Sequence, residues 1–455
     1  MAETSQQVQP ASDVTSPRAC DVIVVGAGMA GKAASLQLAR AGLKVVCIAP
    51  AEGTRPPVGE SLDWSAPDLL KALGLPMDYL LETQMATWKR HVTLHMRDGC
   101  SEHYIPSTWL GEPPLNIELR TLHVDRVRLD QELLKRTVEA GVTLVPDKVV
   151  GVERTGKRIS SVHTSSGAQY SAAWFIDASG IGAAVFAREF DLQKIQYGPS
   201  KVAMWAYFPT TDPVQGTTLY MDPSPTEYLD WIWEIPINPQ TLGVGVVTTG
   251  DLIKAKRDRG LTVEEVYRQE LAKFPRFEPL LRSGSTGKLD VTSFQCRVHL
   301  GVAGPNWLIC GEAASMVDPI TSNGVTAALR HAAEASALIL KYRRKGGIPL
   351  GARVCYSSRI LQMAKFFNSG IEKIVYEPPV RNRIGLQMSG TVYTGPAWSM
   401  NVVYARLKPS GAFSTLLLNS ILVAFRLTAW LFYQFSLLRP GGRPPGSSNQ
   451  CKAAA

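Results

Sequence analysis

The sequence predicts an α/β fold, in which a dinucleotide-binding domain is interrupted by an antiparallel sheet and followed by a helical C-terminal region. Three observations predict it. A strand, a G-x-G-x-x-G turn, a helix and a second strand occupy residues 20–50. Strand-like runs alternate from Lys201 to Thr249. A strand, a turn and an Ala-rich helix return at 307–340. This nested order splits the nucleotide domain around a substrate-binding sheet.

Length and charge bound the rest. The chain has 455 residues, enough for a large core without disulfide or metal staples. Apolar residues at 45% and charged residues at 19% exclude a disordered or collagenous chain. The 48 basic and 39 acidic residues leave a net charge of +9. Nucleic acid is not the partner this implies. The longest basic cluster, Lys341, Arg343, Arg344 and Lys345, ends a helical pattern, where cations offset the helix dipole, and no aromatic interleaving accompanies it. Seven cysteines without a C-x-x-C read as a reducing compartment, and the seven histidines have no metal-ligand spacing. The first 19 residues lack the apolar core of a secretory signal. A cytoplasmic location follows as an expectation.

Val22–Val25 is a buried-strand run leading into Gly26-Ala27-Gly28-Met29-Ala30-Gly31. Gly26 allows the tight turn, Gly28 lets backbone approach a pyrophosphate, and Gly31 permits close helix packing. The helix closes at Gly42 and a strand follows over Lys44–Ile48. Its end carries Ala49-Pro50 where an acid would bind the adenosine ribose, so that contact comes from elsewhere. Asp130–Ala140 is helical, Val142–Val145 strand-like, and Trp174–Gly180 a buried strand ending in a turn, with Asp177 in a structural role. The sheet runs are Val202–Phe208, Trp231–Pro236 and Leu242–Val247. Residues 262–282 are helical.

Residues 413–438 carry a single charge, Arg426. As a helix they span about 39 Å, enough to cross a bilayer. Arg426 near the middle would cost about 2.5–3.5 kcal/mol there. Packing on the protein itself, lying in a membrane interface, and crossing remain the three readings.

Four segments carry the chemistry: Gly59-Glu60-Ser61, Phe175–Gly180, Trp231-Ile232-Trp233-Glu234-Ile235-Pro236, and Cys310–Gly324. With these the chain resembles the flavin-dependent halogenases, within the wider class of FAD monooxygenases. Trp231, Trp233, Ile235 and Pro236 match W-x-W-x-I-P in full. Pro319, Ser322 and Gly324 match F-x-x-P-x-x-S-x-G, with Met316 in place of the Phe. The similarity runs over roughly residues 20–400.

The resemblance implies a Rossmann-type FAD-binding domain in which Gly26, Gly28 and Gly31 hold the pyrophosphate. Arg126 stands as the family arginine near the cofactor. Gly311-Glu312 stands where the family has Gly-Asp, which alters the geometry of that acid. Ser322, Asn323 and Gly324 would lie nearest a chloride or bromide, at a helix N-terminus facing the flavin. Lys89 falls where the family has the lysine that receives hypohalous acid, its alternative being an exposed strand lysine. Trp231 and Trp233 shape a tunnel wall by packing. Thr321 stands where tryptophan halogenases carry a glutamate, which favours an electron-rich phenolic or carrier-bound substrate. No second G-x-G-x-x-G exists for a nicotinamide cofactor, so reduced FAD would come from a separate flavin reductase.

The expected function is therefore an FAD-dependent halogenase using reduced FAD, O2 and halide. The alternative is a monooxygenase that hydroxylates or epoxidises a small-molecule, lipidic or protein-borne substrate without halide. The expected parts are a disordered tail (1–19), the FAD-binding domain (20–195 and 296–345), the substrate sheet (196–295), a helical region (346–412), a hydrophobic helix (413–438) and a second disordered tail (439–455). The hydrophobic helix would also permit peripheral contact with the inner face of a membrane.

Overall fold

The computed structural model describes residues 18–51, 57–97, 101–104, 120–211, 214–222, 228–283, 287–376 and 412–438. A seven-stranded sheet forms the nucleotide-binding body. Strands Thr143–Pro146, Val45–Ala49, Arg18–Val25 and Gln169–Asp177 lie side by side in parallel, and Trp307–Ile309 joins the last of them, again in parallel. A hairpin of Val149–Thr155 and Arg158–Thr164 adds antiparallel to the start of Gln169–Asp177. Helix Met29–Arg40 packs on this sheet together with helices Arg126–Glu139 and Gly324–Tyr342. Val22, Ile23, Val24, Phe175 and Ile176 are fully buried, as expected of parallel strands covered on both faces.

The second body is an eight-stranded sheet. Its long strand Lys194–Pro209 pairs with Thr241–Thr249 on one side and Asp290–His299 on the other. Beyond Asp290–His299 lies the short strand Ser315–Met316, and beyond Thr241–Thr249 come Asp230–Asn238, Gly216–Asp222, His91–Met96 and Ser101–Tyr104. The sheet therefore draws on residues 91–104, which the sequence reading grouped with the nucleotide domain. Strand Gly216–Asp222 escapes a search for alternation because Gly216 through Met221 are all buried. A separate pair, Ala86–Lys89 with Thr121–Val124, bridges the two bodies.

Element ends follow local chemistry. Helix Arg126–Glu139 starts four residues before the expected Asp130, because the Asp125 carboxylate caps it by accepting from Arg128 N at 3.1 Å. Helix Val263–Leu271 begins with a full capping box, Thr262 with Glu265. Asp177 plays the structural role expected of it: its carboxylate accepts from Ser179 N at 3.0 Å and Phe186 N at 2.7 Å, closing the turn.

Residues 412–438 form one helix, Ala412–Leu438, whose first half packs on helix Leu350–Gly370. Thr415, Leu418 and Leu422 are buried, Arg359 Nη1 donates to Thr415 Oγ1 at 2.8 Å, and Asn419 Nδ2 donates to Ser358 Oγ at 2.7 Å. Phe413, Leu416, Leu427, Trp430 and Phe435 stay exposed. Among the described residues no helix is long and apolar enough to cross a membrane. Arg18 and Ala19, expected in the first tail, instead begin strand Arg18–Val25, where they pair with Tyr170 and Ser171; residues 1–17 and 439–455 fall outside the described residues.

Candidate active site

The glycine turn divides its labour as its spacing predicts. A Cβ on Gly26, which has φ +98°, would lie 2.4 Å from Ala178 O, and one on Gly31 would lie 1.8 Å from Gly26 O. Those two glycines are required by the protein's own packing. A Cβ on Gly28 would meet nothing within 4 Å. Gly28 is also the N-cap of helix Met29–Arg40, with no side chain capping the first turn and no acid in it. The free N–H groups and the open space above Gly28 fit a pyrophosphate.

Arg126 reaches toward the same region from the N-terminus of its helix. Its buried guanidinium donates to the carbonyls of Val58 and Gly59 and lies 3.4 Å from Asp130, while its Nε has no partner among the described residues. Gly311, at φ +61°, brings the chain against helix Met29–Arg40, where a Cβ would lie 2.9 Å from that of Ala30. Glu312 is exposed at this corner. An open glycine cradle, an unpartnered arginine nitrogen and a close strand–helix corner together fit FAD.

Lys89 ends strand Ala86–Lys89 and is buried, 2% exposed, which rules out the exposed strand lysine. Its Nζ donates to Leu62 O at 2.9 Å and sits 4.8 Å over the ring of Trp64. Burial pushes the amine down to about 7, with the nearby Asp63 charge opposing. Thr87, two residues earlier, donates to Pro236 O at 2.5 Å, tying the lysine strand to the W-x-W-x-I-P strand.

The turn Pro319–Thr321 leads through Ser322 and Asn323 into helix Gly324–Tyr342. Ser322 is left-handed at φ +58°, a conformation that a serine holds only when its surroundings impose it. Its Oγ donates to Ser61 Oγ at 3.0 Å. Ser61 meets Thr217 Oγ1 at 3.0 Å, and Thr217 meets His123 Nε2 at 2.9 Å. Asn323 is buried with its Oδ1 unpartnered among the described residues, and no acid occupies the first turn of the helix that follows. Polar groups and a helix N-terminus thus converge where the halide residues were expected.

Trp231 and Trp233 are buried, with ring centroids 5.9 Å apart, in a core with Ile235. Trp233 lies opposite Gly245, where any Cβ would fall 2.1 Å from the indole. Trp231 Nε1 donates to Tyr376 OH at 2.7 Å. Pro319 opens the 3-10 turn.

Sequence reasoning quoted Glu60 and Ser61 without assigning them roles, and it missed Lys201 altogether. Glu60 is buried, 2% exposed; Tyr207 OH donates to it at 2.8 Å, and burial pushes its carboxyl up to about 7. The Gly59-Glu60-Ser61 run was the available signal. Lys201 carries no local motif, because its partners Asp318 and Glu372 lie 117 and 171 residues away.

A family model described as lycopene cyclase protein matches residues 21–214. The chain is 26% identical over 387 residues to a tryptophan 2-halogenase of Chondromyces crocatus, covering 79% of this chain and 70% of that protein. It is 25% identical over 330 residues to a 1H-pyrrole-2-carbonyl-[peptidyl-carrier protein] brominase of Pseudoalteromonas luteoviolacea, covering 70% of this chain and 76% of the other. The solved structure of the flavin-dependent brominase Bmp2 superposes with a TM-score of 0.69 at 19% identity, over 90% of this chain and 100% of that one.

Proposed function

Taking this chain as an FAD-dependent oxidoreductase related to the flavin-dependent halogenases, we propose that it halogenates an electron-rich phenolic or carrier-bound substrate, using chloride or bromide. The observation that carries the reading is the buried amine of Lys89, lowered to about 7. At pH 7 about half of such an amine is neutral, against well under 1% for an exposed lysine.

Reduced FAD with O2 supplies the oxidation that converts halide into hypohalous acid. The remaining work falls to the protein. The N-terminus of helix Gly324–Tyr342, with Ser322 and Asn323 before it, holds the halide. The neutral Lys89 Nζ attacks the halogen of HOX: an N–X bond forms, the O–X bond breaks, and the amine proton leaves with hydroxide as water. The haloamine then passes X+ to an aromatic carbon, which loses a proton, and the amine is restored. Trp64 and Leu62 keep bulk water from the lysine.

Thr321 supports a substrate other than free tryptophan, and the named activity of the carrier-protein brominase supports a carrier-bound ring. A separate flavin reductase and a peripheral membrane contact through the exposed face of helix Ala412–Leu438 belong to the same reading.

Mass spectrometry of products formed with reduced FAD, O2 and a panel of phenols and carrier-bound pyrroles tests it. A bromine isotope pair appearing only with bromide supports halogenation. Oxygenated product in equal yield with and without halide would assign the chain to the hydroxylating or epoxidising alternative.

A further inference from the structure

We propose that Trp231 positions the turn Asp318–Gly324 through Tyr376 and Asp318, so that the first signature sets the shape of the second. The inference rests on the halogenase reading only where it calls that turn the halide site.

Asp318 is 1% exposed, and both its carboxylate oxygens are engaged. Oδ1 accepts from Ile320 N at 3.1 Å and from Tyr376 OH at 3.1 Å. Oδ2 accepts from Lys201 Nζ at 2.8 Å and from Cys296 Sγ at 3.7 Å. Its own N–H donates to Asn368 Oδ1 at 3.0 Å, and Thr321 Oγ1 donates back to its carbonyl at 3.2 Å. Asp318 is therefore the fixed end of the turn, and four residues later the chain reaches the left-handed Ser322. A strained residue of this kind persists because its neighbours over-determine it.

The order of donors is set by chemistry. An indole N–H can only donate, so at 2.7 Å Trp231 gives its proton to the Tyr376 oxygen. That hydroxyl is left to donate to Asp318. Lys201, itself 1% exposed, lies 3.9 Å from the centroid of the Tyr376 ring and bonds Glu372 at 3.3 Å. Tyr376 and Glu372 share a π-helical turn, Ile371–Tyr376, a rare form that recurs at functional sites. Lys201 follows a register break in its strand between Tyr197 and Lys201. Two local irregularities thus bring a cation, two carboxylates and a tyrosine to one point beneath the turn. Trp231 acts through Tyr376 and is a positioning residue.

The test compares full-length Tyr376→Phe and Trp231→Phe with the wild type by amide hydrogen exchange, and titrates bromide into the FAD-loaded proteins. Tyr376→Phe removes the hydroxyl and keeps its ring, while Trp231→Phe removes the indole N–H and leaves a smaller aromatic ring in the same core, so both variants are expected to fold. Exchange at 320–324 should accelerate ~10-fold or more while strand Arg18–Val25 keeps its rate, because local and global opening are separable. The bromide Kd should rise several-fold, with FAD affinity unchanged. Wild-type exchange in the turn of both variants would overturn the inference, as would equal acceleration in the first strand. Faster exchange in the turn, in a protein whose wild type binds no bromide, would uphold the positioning and sink the halogenase reading instead.

Discussion

Ser322 donates its hydroxyl to Ser61 at 3.0 Å although 261 residues separate them. The bond pins the turn that opens helix Gly324–Tyr342 to the segment that follows the second parallel strand. It also places Ser322 at one end of a buried run of polar side chains through Thr217 to His123. Replacing Ser322 by alanine keeps the left-handed strain and removes the bond that offsets it. Ser322→Ala and Ser61→Ala should each weaken bromide binding several-fold and leave FAD binding intact. Titration of the FAD-loaded variants checks this; unchanged bromide affinity in both would remove the pair from the halide site.

Gly28 and Gly31 should fail in different ways. A valine at Gly28 meets no protein atom at its Cβ, so Gly28→Val should fold and lose FAD. Gly31→Ala puts a methyl 1.8 Å from a backbone oxygen and should lower the yield of folded protein before any cofactor question arises. Circular dichroism with the flavin absorbance of the purified proteins separates the two. A yellow, stoichiometric Gly28→Val protein would contradict the pyrophosphate assignment.

Lys89→Met should abolish halogenated product while oxidation of reduced FAD continues, because the amine acts after the halide is oxidised. In the wild type, the rate of halogen transfer should rise with pH through about 7, as the reactive form is the neutral amine. Single-turnover product yield across pH 5–9 gives the profile. A flat profile, or wild-type yield from Lys89→Met, removes Lys89 from the chemistry.

The same lysine has a stability signature. Its folded pKa lies below its unfolded value, so between about 7 and 10.5 the unfolded chain binds more protons and stability rises with pH. Below about 7 the protonated amine is buried at a cost of a few kcal/mol. Lys89→Met should therefore raise Tm at pH 6, and the gain should shrink toward pH 10. A constant gain at both values would mean that Lys89 is not held desolvated.

If helix Ala412–Leu438 rests on a membrane, its exposed Leu427 and Trp430 are the residues that enter it. Full-length protein should then sediment with anionic vesicles at low salt, and Leu427→Glu with Trp430→Glu should abolish this without lowering Tm. Absence of the wild type from the pellet ends that reading.

The nucleotide cradle was legible because its information is local: three glycines, a strand and a helix lie within thirty residues. Lys89 was legible only by family position, since nothing in Thr87-Trp88-Lys89-Arg90 announces burial. What shields it, Leu62 and Trp64, arrives from another element. Lys201, Asp318 and Glu372 escaped for the same reason, as charged residues far apart in sequence give no pattern until folding pairs them. The place of strand His91–Met96 escaped because its sheet partner, Gly216–Asp222, follows more than a hundred residues later.

That last pairing has a consequence for anyone who would recombine this enzyme with a relative. Strand His91–Met96 is zipped in parallel to Gly216–Asp222, and its neighbour Lys89 sits just before it on a ribbon tied to Pro236. A chimera that exchanges only residues 196–295 imports a sheet that leaves two strands of one edge, and the short Ser315–Met316 of the other, behind in the host. It also detaches the lysine strand from the proline carbonyl that Thr87 bonds. The exchangeable module is discontinuous, and a crossover that respects it must carry 86–104 and 315–316 along with 194–299.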